Sequence, residues 1–300
     1  MSKIVTLGSI GIDHVYSVEH FTTAGETMVG RTHDIFPGGK GLNQSIAAAK
    51  AGAEVVHVGS IGDDGKSSLN ALRIADVDVE DVRVGEDATG HAMIQVDDAG
   101  QNAIVVYGGA NRALTENDRE AAFNRLEEGD WLLLQNEING IDEVLQRASE
   151  QNALVAFNVA PVDGSERDYD YRNVDLLIVN EVEAALLAGI ENPGDAFDHL
   201  VATYPKMVVV LTLGREGGIC GGNGHPKIAY EAHDVQAVDE TAAGDSFIGF
   251  FMAEWVRSQD LAAALADGSA AGALAVTKHG AASSIPTREE VAAFKSQSSN

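Results

Sequence analysis

The feature that most constrains this chain is a rhythm. Short apolar runs alternate with helix-forming segments along most of its length. "KIVTLG" (3–8) precedes the small-residue helix "GLNQSIAAAKAG" (41–52), and "EVVHVGSIG" (54–62) leads into "SSLNALRIADV" (67–77). After the helical "TENDREAAFNRL" (115–126), the strand "DWLLLQ" (130–135) is followed by the helix "IDEVLQRASEQ" (141–151). Further strands are "ALVAFN" (153–158), "DLLIVN" (175–180) and "KMVVVLTLG" (206–214), with helices between the last two. Strands this uniformly apolar are buried on both faces, which is the mark of a parallel sheet covered by helices on either side. The pattern predicts an α/β fold with a mostly parallel central sheet. The last third turns helical and rich in alanine.

Two stretches break the rhythm. Residues 14–37 hold "HVYSVEHF" and "TMVGRTHDIF" joined by "TTAGE", and residues 91–107 hold "HAMIQV" and "NAIVVY" joined by "DDAGQ". Both read as hairpins with glycine-bearing turns. Together they predict one small β-sheet outside the main layer, interleaved in sequence. No linker divides the chain, so residues 1–300 are expected to form a single domain.

Composition excludes several classes. No run approaches 18 apolar residues, so no membrane span or membrane partner is expected. The N-terminal apolar run is too short for a signal peptide. The single cysteine, Cys220, has no internal partner, which fits a reducing cytoplasm. A formal charge of −26 sets the surface against nucleic-acid phosphates, so no nucleic-acid partner is expected. That acidity reads as a surface trait and says nothing specific about chemistry.

In parallel sheets, ligands bind beyond the carboxyl ends of the strands. Polar residues gather there: Asp13 after the first strand, Glu137 after "LLLQ", then Asn158, Asn180, and Thr212 with Gly214. "GSIGDDGKSS" (59–68) imitates a phosphate-binding P-loop but places its first glycine one residue too early, leaving a tight turn with Asp63 near the strand end. In "PGGKGLNQS" (37–45), three glycines around Lys40 let backbone approach a ligand at a helix start, and Asn43 can both donate to and accept from a sugar diol. A flexible turn with a solvated lysine is the plainer reading. "NEVE" (180–183) has the form of a capping box, and its carboxylate is equally suited to hold Mg²⁺ through water. "TLGREGG" (212–218) suits a backbone surface against a nucleotide, or a hairpin into "ICGGNG".

"VDETAAGDSFIGFF" (238–251) carries the sharpest chemistry. An acid in a first helical turn is favoured by the dipole whatever else it does. If the helix begins near Ala243, however, the N–H groups of Ala243, Gly244 and Asp245 form an anion site. Gly244 removes the side chain that would block close approach. A transferring phosphoryl group would find its charge stabilised there, with Asp245 placed to take a proton from an attacking hydroxyl.

With these pieces in order, the chain resembles the ribokinase family of sugar kinases from "GSIGIDH" to "GAASSIPTREE". "GGKGLNQS", the "NxxE" at 180–183, "TLGREGG" and "VDETAAGDSF" carry the likeness most specifically. The resemblance implies a three-layer α/β/α sandwich with a small β-sheet lid that often pairs two subunits into a homodimer. It implies ATP-dependent phosphorylation of a sugar hydroxyl, in ribokinases the 5-hydroxyl of D-ribose. On the matching positions, Asp245 is the catalytic base and Ala242, Ala243 and Gly244 the anion hole. Asp13, Gly39, Lys40, Asn43 and Glu137 match sugar contacts, and Asn180, Glu183, Thr212, Gly214 and Gly217 the nucleotide and Mg²⁺ side. A K⁺ site is matched by Asp239 and Thr241 in one loop and by Ala275, Lys278, Gly280 and Ser284 in another. Asp239 supplies the only carboxylate of that set, and it would equally cap the turn before the helix.

The chain departs from the family in places. Gly11 stands where ribokinases usually carry asparagine, which removes a sugar contact or hands it to water. Ala242 replaces a common glycine, and Leu42 in place of a small residue is expected to narrow the sugar pocket. A kinase for another pentose, a ketohexose or a nucleoside is the alternative within the fold. A non-catalytic sugar-binding regulator is the alternative outside enzymes. A Rossmann dehydrogenase is disfavoured further, because no Gly-x-Gly-x-x-Gly follows the first strand.

Overall fold

The computed structural model describes residues 2–298; Met1 and the last two residues of the polar tail, Ser299 and Asn300, lie outside the described residues. The chain opens with β1 (Ile4–Leu7), then β2 (Gly11–Ser17), β3 (Thr32–Gly38), α1 (Lys40–Lys50), β4 (Val55–Ile61) and α2 (Lys66–Ile74). A short β5 (Val82–Val84) leads to β6 (Gly90–Val96) and β7 (Asn102–Tyr107). Strict alternation then follows: α3 (Glu116–Asn124), β8 (Trp131–Gln135), α4 (Ile141–Gln151), β9 (Leu154–Asn158), β10 (Leu176–Asn180). Two helices, α5 (Glu181–Ala188) and α6 (Pro193–Thr203), precede β11 (Val208–Thr212) and the hairpin of β12 (Gly218–Gly222) and β13 (His225–Tyr230). The chain ends in α7 (Ala243–Ser258), α8 (Leu261–Ala275) and α9 (Arg288–Ser298).

Nine strands form the main sheet, in the order β13-β12-β11-β10-β9-β8-β1-β4-β5. From β11 to β5 every pairing is parallel, and β12 and β13 add an antiparallel edge. The side chains explain why the apolar runs are continuous. Trp131 and Leu133 join one core layer while Leu132 and Leu134 join the other; Val208 and Val210 divide from Val209 and Leu211 in the same way. Successive residues of a strand point to opposite faces, so a sheet covered on both sides needs an apolar residue at every position. The first layer packs α1, α2, α7 and α8, and the second packs α3, α4 and α6. This is the expected three-layer α/β/α sandwich.

The two rhythm-breaking stretches pair into one separate sheet, in the order β3-β2-β6-β7. The hairpins pair internally antiparallel and meet through a parallel β2–β6 contact. Its strands begin earlier than the hairpin pattern suggested, at Gly11 rather than at residue 14. The cause lies at its root, where Gly11 faces Gly38 on one side and Gly90 on the other. Three residues without side chains lend no hydrophobic signal to a sequence reading. "TLGREGG" does turn β11 into a hairpin with β12, and β5 had no sequence expectation.

Helix starts divide into two kinds. Thr115 and Asp118 cap α3 reciprocally, Asn180 and Glu183 do the same for α5, and Asn192 and Asp260 cap α6 and α8 with their side chains. By contrast α7 starts at Ala242 in the left-handed conformation (φ 58°), with no side-chain cap. A non-glycine residue in that region costs on the order of 1 kcal/mol. The tip of α7 therefore carries strain and open donors together.

Candidate active site

Helices α1 and α7 pack closely, and their starts converge beyond the sheet. Gly249 permits the contact, since a Cβ there would meet Ala47 and would lie 2.6 Å from the backbone nitrogen of Ala48. This brings Asp245, 7% exposed, onto two side chains of α1. The Asn43 amide donates to Oδ2 at 3.0 Å and the Gln44 amide to Oδ1 at 2.9 Å. Asn43 Oδ1 is buried and has no partner, so it remains an acceptor for a ligand hydroxyl.

The anion turn differs in one respect from its sequence reading. Ser246 N–H reaches Ala242 O, and Ala243 N–H makes a long 3.3 Å bond to Glu240 O. Ala243 is thus not a free donor, because the left-handed Ala242 folds residues 240–243 into a tight turn. The amides of Gly244 and Asp245 lie in the first turn, where a helix offers no internal acceptor. A Cβ built on Gly244 would meet nothing within 4 Å, so an approaching group has room.

Opposite this tip stand the sugar-side residues. Glu137, just past β8, accepts from Lys40 N–H at 2.9 Å and from the Ser9 hydroxyl. Ser9 Oγ accepts in turn from Gly41 N–H at 3.1 Å. The amides at the tip of α1 are therefore satisfied by Glu137 and Ser9, whereas the tip of α7 has no side-chain cap. Asp13 comes from β2, in the small sheet, and not from a strand end of the main one. Burial, then Glu137 and Asp245, push its carboxyl up to about 6. Burial alone would lower the Lys40 ammonium; Asp245, Glu137 and Glu183 overcome it and hold the group above its ordinary value. Lys40 is the positive centre of an acidic cleft. Gly39 (φ 96°) turns the chain into α1 with its Cβ position 3.0 Å from Gly11 N, so no side chain fits there.

Leu42 does not narrow the pocket: it is fully buried in the core layer, with Ile10 and Ile46. The side chain turns inward because its position on α1 faces the sheet. At Gly11, an added Cβ would lie 3.3 Å from Gly90 O, tight but not closed.

On the nucleotide side, Asn180 and Glu183 do form the capping box. Glu183 accepts from Asn180 N–H and from its side-chain amide, both at 2.9 Å. Burial raises its carboxyl despite the Asn180 N–H and Lys40. Two donors leave open lone pairs on this carboxylate, which suits a water-held Mg²⁺. Thr212 ends β11 beside them, its hydroxyl 3.4 Å from Val179 O. Gly214 has open space where a side chain would go, whereas a Cβ at Gly217 would strike Tyr230 O. Packing alone accounts for the second glycine.

The loops matched to K⁺ do come together. Asp239 Oδ1 accepts from Thr241 N–H and its hydroxyl at 2.9 and 2.6 Å, and Oδ2 accepts from Gly280 N–H at 2.9 Å. Burial works against the charge on Asp239, but these donors prevail and hold it below the ordinary carboxylate range. Lys278 pairs with Glu290 at 2.8 Å. Ala275 O accepts from Lys278 N–H, and the Ser284 hydroxyl donates to Ala281 O. The turn-capping role of Asp239 is real, and a carboxylate with backbone carbonyls nearby also fits a hard monovalent ion.

Sequence reasoning missed Ser9, Gln44, Gln135 and Asn111. The Asn111 amide clasps Ile10 through both its N–H and its carbonyl, each at 3.0 Å, and so holds the loop before Asp13. Gln135 had a signal: it is the polar end of an otherwise apolar strand.

A layered α/β/α body, a small sheet carrying an acid into the cleft, and a carboxylate at an open helix tip define a phosphotransferase with an alcohol group as acceptor. The model of the pfkB family of carbohydrate kinases matches residues 1–288, and the chain belongs to that family. Within it the likeness is to ribokinases. The ribokinase of Haemophilus influenzae is 38% identical over 98% of this chain and 99% of its own. The crystal structure of the Thermotoga maritima ribokinase superposes with a TM-score of 0.86 at 34% identity, covering 99% and 100% of the two chains. The Arabidopsis thaliana ribokinase, solved with ribose and ATP, gives 0.84 at 29% identity, covering 98% and 99%.

Proposed function

We propose that this carbohydrate kinase transfers the γ-phosphoryl group of ATP to the 5-hydroxyl of D-ribose, releasing ribose 5-phosphate and ADP. The observation that carries the reading is Asp245: a buried carboxylate, gripped by Asn43 and Gln44, at the open tip of α7. Asp245 takes the hydroxyl proton as the sugar oxygen attacks phosphorus and the bond to the β-phosphate oxygen breaks. The amides of Gly244 and Asp245 face the charge on the transferring group, and the Ala242 turn holds them in place. Lys40 steadies negative charge across the cleft. Asp13, Gly39, Asn43 and Glu137 orient the sugar.

Asn180, Glu183, Thr212, Gly214 and Gly217 bound the nucleotide side. Held there through water, Mg²⁺ would neutralise phosphate charge. Asp239 and Thr241, with Ala275, Lys278, Gly280 and Ser284, would hold K⁺, whose charge would steady the loop before α7.

The small sheet acts as a lid and as a dimer contact. By register, Ile35, His14, Met93 and Val105 form one row across it, and Phe36, Asp13, Ala92 and Val106 form a row on the other face. Ile35, Met93 and Val105 are 49–64% exposed on the outer face, which suits a second copy of the chain. Among the described residues no helix is long and apolar enough to cross a membrane. The buried lone Cys220, its thiol pushed up to about 12 by burial, fits the cytoplasm.

A panel of ribose, deoxyribose, fructose and adenosine with ATP, run in K⁺ and then in Na⁺, tests the assignment. Ribose should give the highest kcat/KM, and K⁺ should outperform Na⁺. Preference for adenosine would overturn the sugar-side roles. Asp245→Asn should lower kcat by orders of magnitude with little change in ribose affinity.

A further inference from the structure

The carboxylate of Asp245 is not held by cleft residues alone. Gln44, fully buried, lies behind it and uses every polar atom of its amide. Nε2 donates to Asp245 Oδ1 at 2.9 Å and to Asn158 Oδ1 at 3.1 Å. Its Oε1 accepts from Gln135 Nε2 at 2.8 Å. Asn158 is itself fixed, since its amide donates to Ile178 O, a backbone carbonyl of the central sheet, at 3.1 Å. The network runs from the main chain of β10, through the ends of β9 and β8, to α1 and the tip of α7.

Its internal logic leaves one arrangement. The Asn158 amide must face a carbonyl, so Asn158 Oδ1 faces Gln44. Gln44 must then present its NH₂ to both Asn158 and Asp245, and its oxygen to Gln135. Reversing Gln44 would set its oxygen against two oxygens and its NH₂ against the Gln135 NH₂. Gln44 and Gln135 are 0% exposed and Asn158 5%, so water does not compete for these bonds. The two oxygens of Asp245 thereby acquire different duties. Oδ1 is tied to the interior through Gln44. Oδ2 is tied to Asn43, whose own Oδ1 is buried without a partner.

We infer that Gln44, locked by Gln135 and Asn158, is the positioning residue of the phosphoryl-transfer step: it fixes the Asp245 carboxylate so that Oδ2 meets the acceptor hydroxyl. This rests on Asp245 being the base. Gln44 does not touch the sugar, so its loss should reach turnover and leave binding largely intact. An acceptor oxygen misplaced by less than an ångström still binds a hydroxyl but transfers its proton poorly. Gln135 acts only through Gln44, so its effect should vanish when Gln44 is already gone.

The experiment compares Gln44→Met, Gln135→Met, the double variant and Asp245→Asn in full-length protein, with ribose and ATP as substrates. Gln44→Met should lower kcat 10- to 100-fold while KM for ribose and ribose affinity by calorimetry change less than threefold. Gln135→Met should lower kcat three- to tenfold. The double variant should match Gln44→Met alone, not the product of the two effects. Asp245→Asn inactive beside Gln44→Met and Gln135→Met of parental kcat would overturn the positioning role and spare the base. Asp245→Asn of parental kcat would overturn the base, and this inference with it. Equal losses in kcat and ribose affinity, or multiplied effects in the double variant, would mark the network as general packing. Should Gln44→Met not fold, Gln135→Met decides on the same kcat-against-KM split.

Discussion

Asp13 shows how one residue links the two sheets to the chemistry. It rises from β2 into a cleft already holding Glu137 and Asp245, and its carboxyl is pushed up to about 6. The sign of its pH effect follows directly. An acid with a folded value above its ordinary 3.8 binds more protons folded than unfolded between the two values, so stability falls as pH rises through that window. Above it, the charged group is a standing penalty. Asp13→Asn should therefore raise the melting temperature of the sugar-free protein at pH 8, and the gain should shrink to nothing near pH 4. On the proposed sugar-side role, the same variant also gives up one of two acceptor oxygens. Its KM for ribose should rise at least tenfold and lose the dependence expected of the parent as pH falls below about 6. Thermal scans and initial rates at several pH values measure both.

At the scale of an element, α7 sets two glycines of opposite meaning within two turns. Gly249 is demanded by the fold, because Ala47 and Ala48 occupy the place of its side chain. Gly249→Ala should destabilise by about 1–3 kcal/mol through overpacking, and should lower kcat as α7 shifts from α1. Gly244 is demanded by nothing in the fold, since its side-chain space is empty. Gly244→Ala should leave stability within about 0.5 kcal/mol and lower kcat at least tenfold, because the methyl would enter the space that the proposed mechanism gives to the phosphoryl group. Urea denaturation beside initial rates distinguishes the two. From the sequence, "AAGDSFIGFF" displays both glycines identically. The helix, its start and its acid were legible there, since apolar periodicity and dipole preference are local. The divergent meaning of the glycines was not, because each is decided by what another helix or an open cleft places beside it. The same reason explains Leu42, which a motif comparison put in the pocket and the packing of α1 put in the core. It also explains Asp239, whose partner Gly280 is far away in sequence and near only in the fold.

At the scale of the whole molecule, the small sheet stands out from the body with apolar residues on both faces. Val106 and Ile104 are exposed on the side that carries Asp13, and Ile35, Met93 and Val105 on the other. The inner face suits closure over a bound sugar, which would exclude water from the transfer. The outer face suits a partner copy. Val105→Lys, which charges the outer row, should shift the protein from dimer to monomer in sedimentation velocity and raise KM for ribose. A wild-type chain sedimenting as a monomer at micromolar concentration would remove the dimer contact.

The chain's own text determined the strand-and-helix alternation, the two-faced sheet, the interleaved small sheet and the stretch that carries Asp245. Those properties depend on neighbours a few residues apart, and periodicity reports them. Only the tertiary structure decided that Asp13 reaches the cleft from the small sheet, that Glu137 and Ser9 satisfy the tip of α1, and that Gln44, Gln135 and Asn158 lock the carboxylate from behind. Each of these joins residues separated by many tens of positions. Such contacts are made by packing geometry, and geometry leaves no period in the sequence.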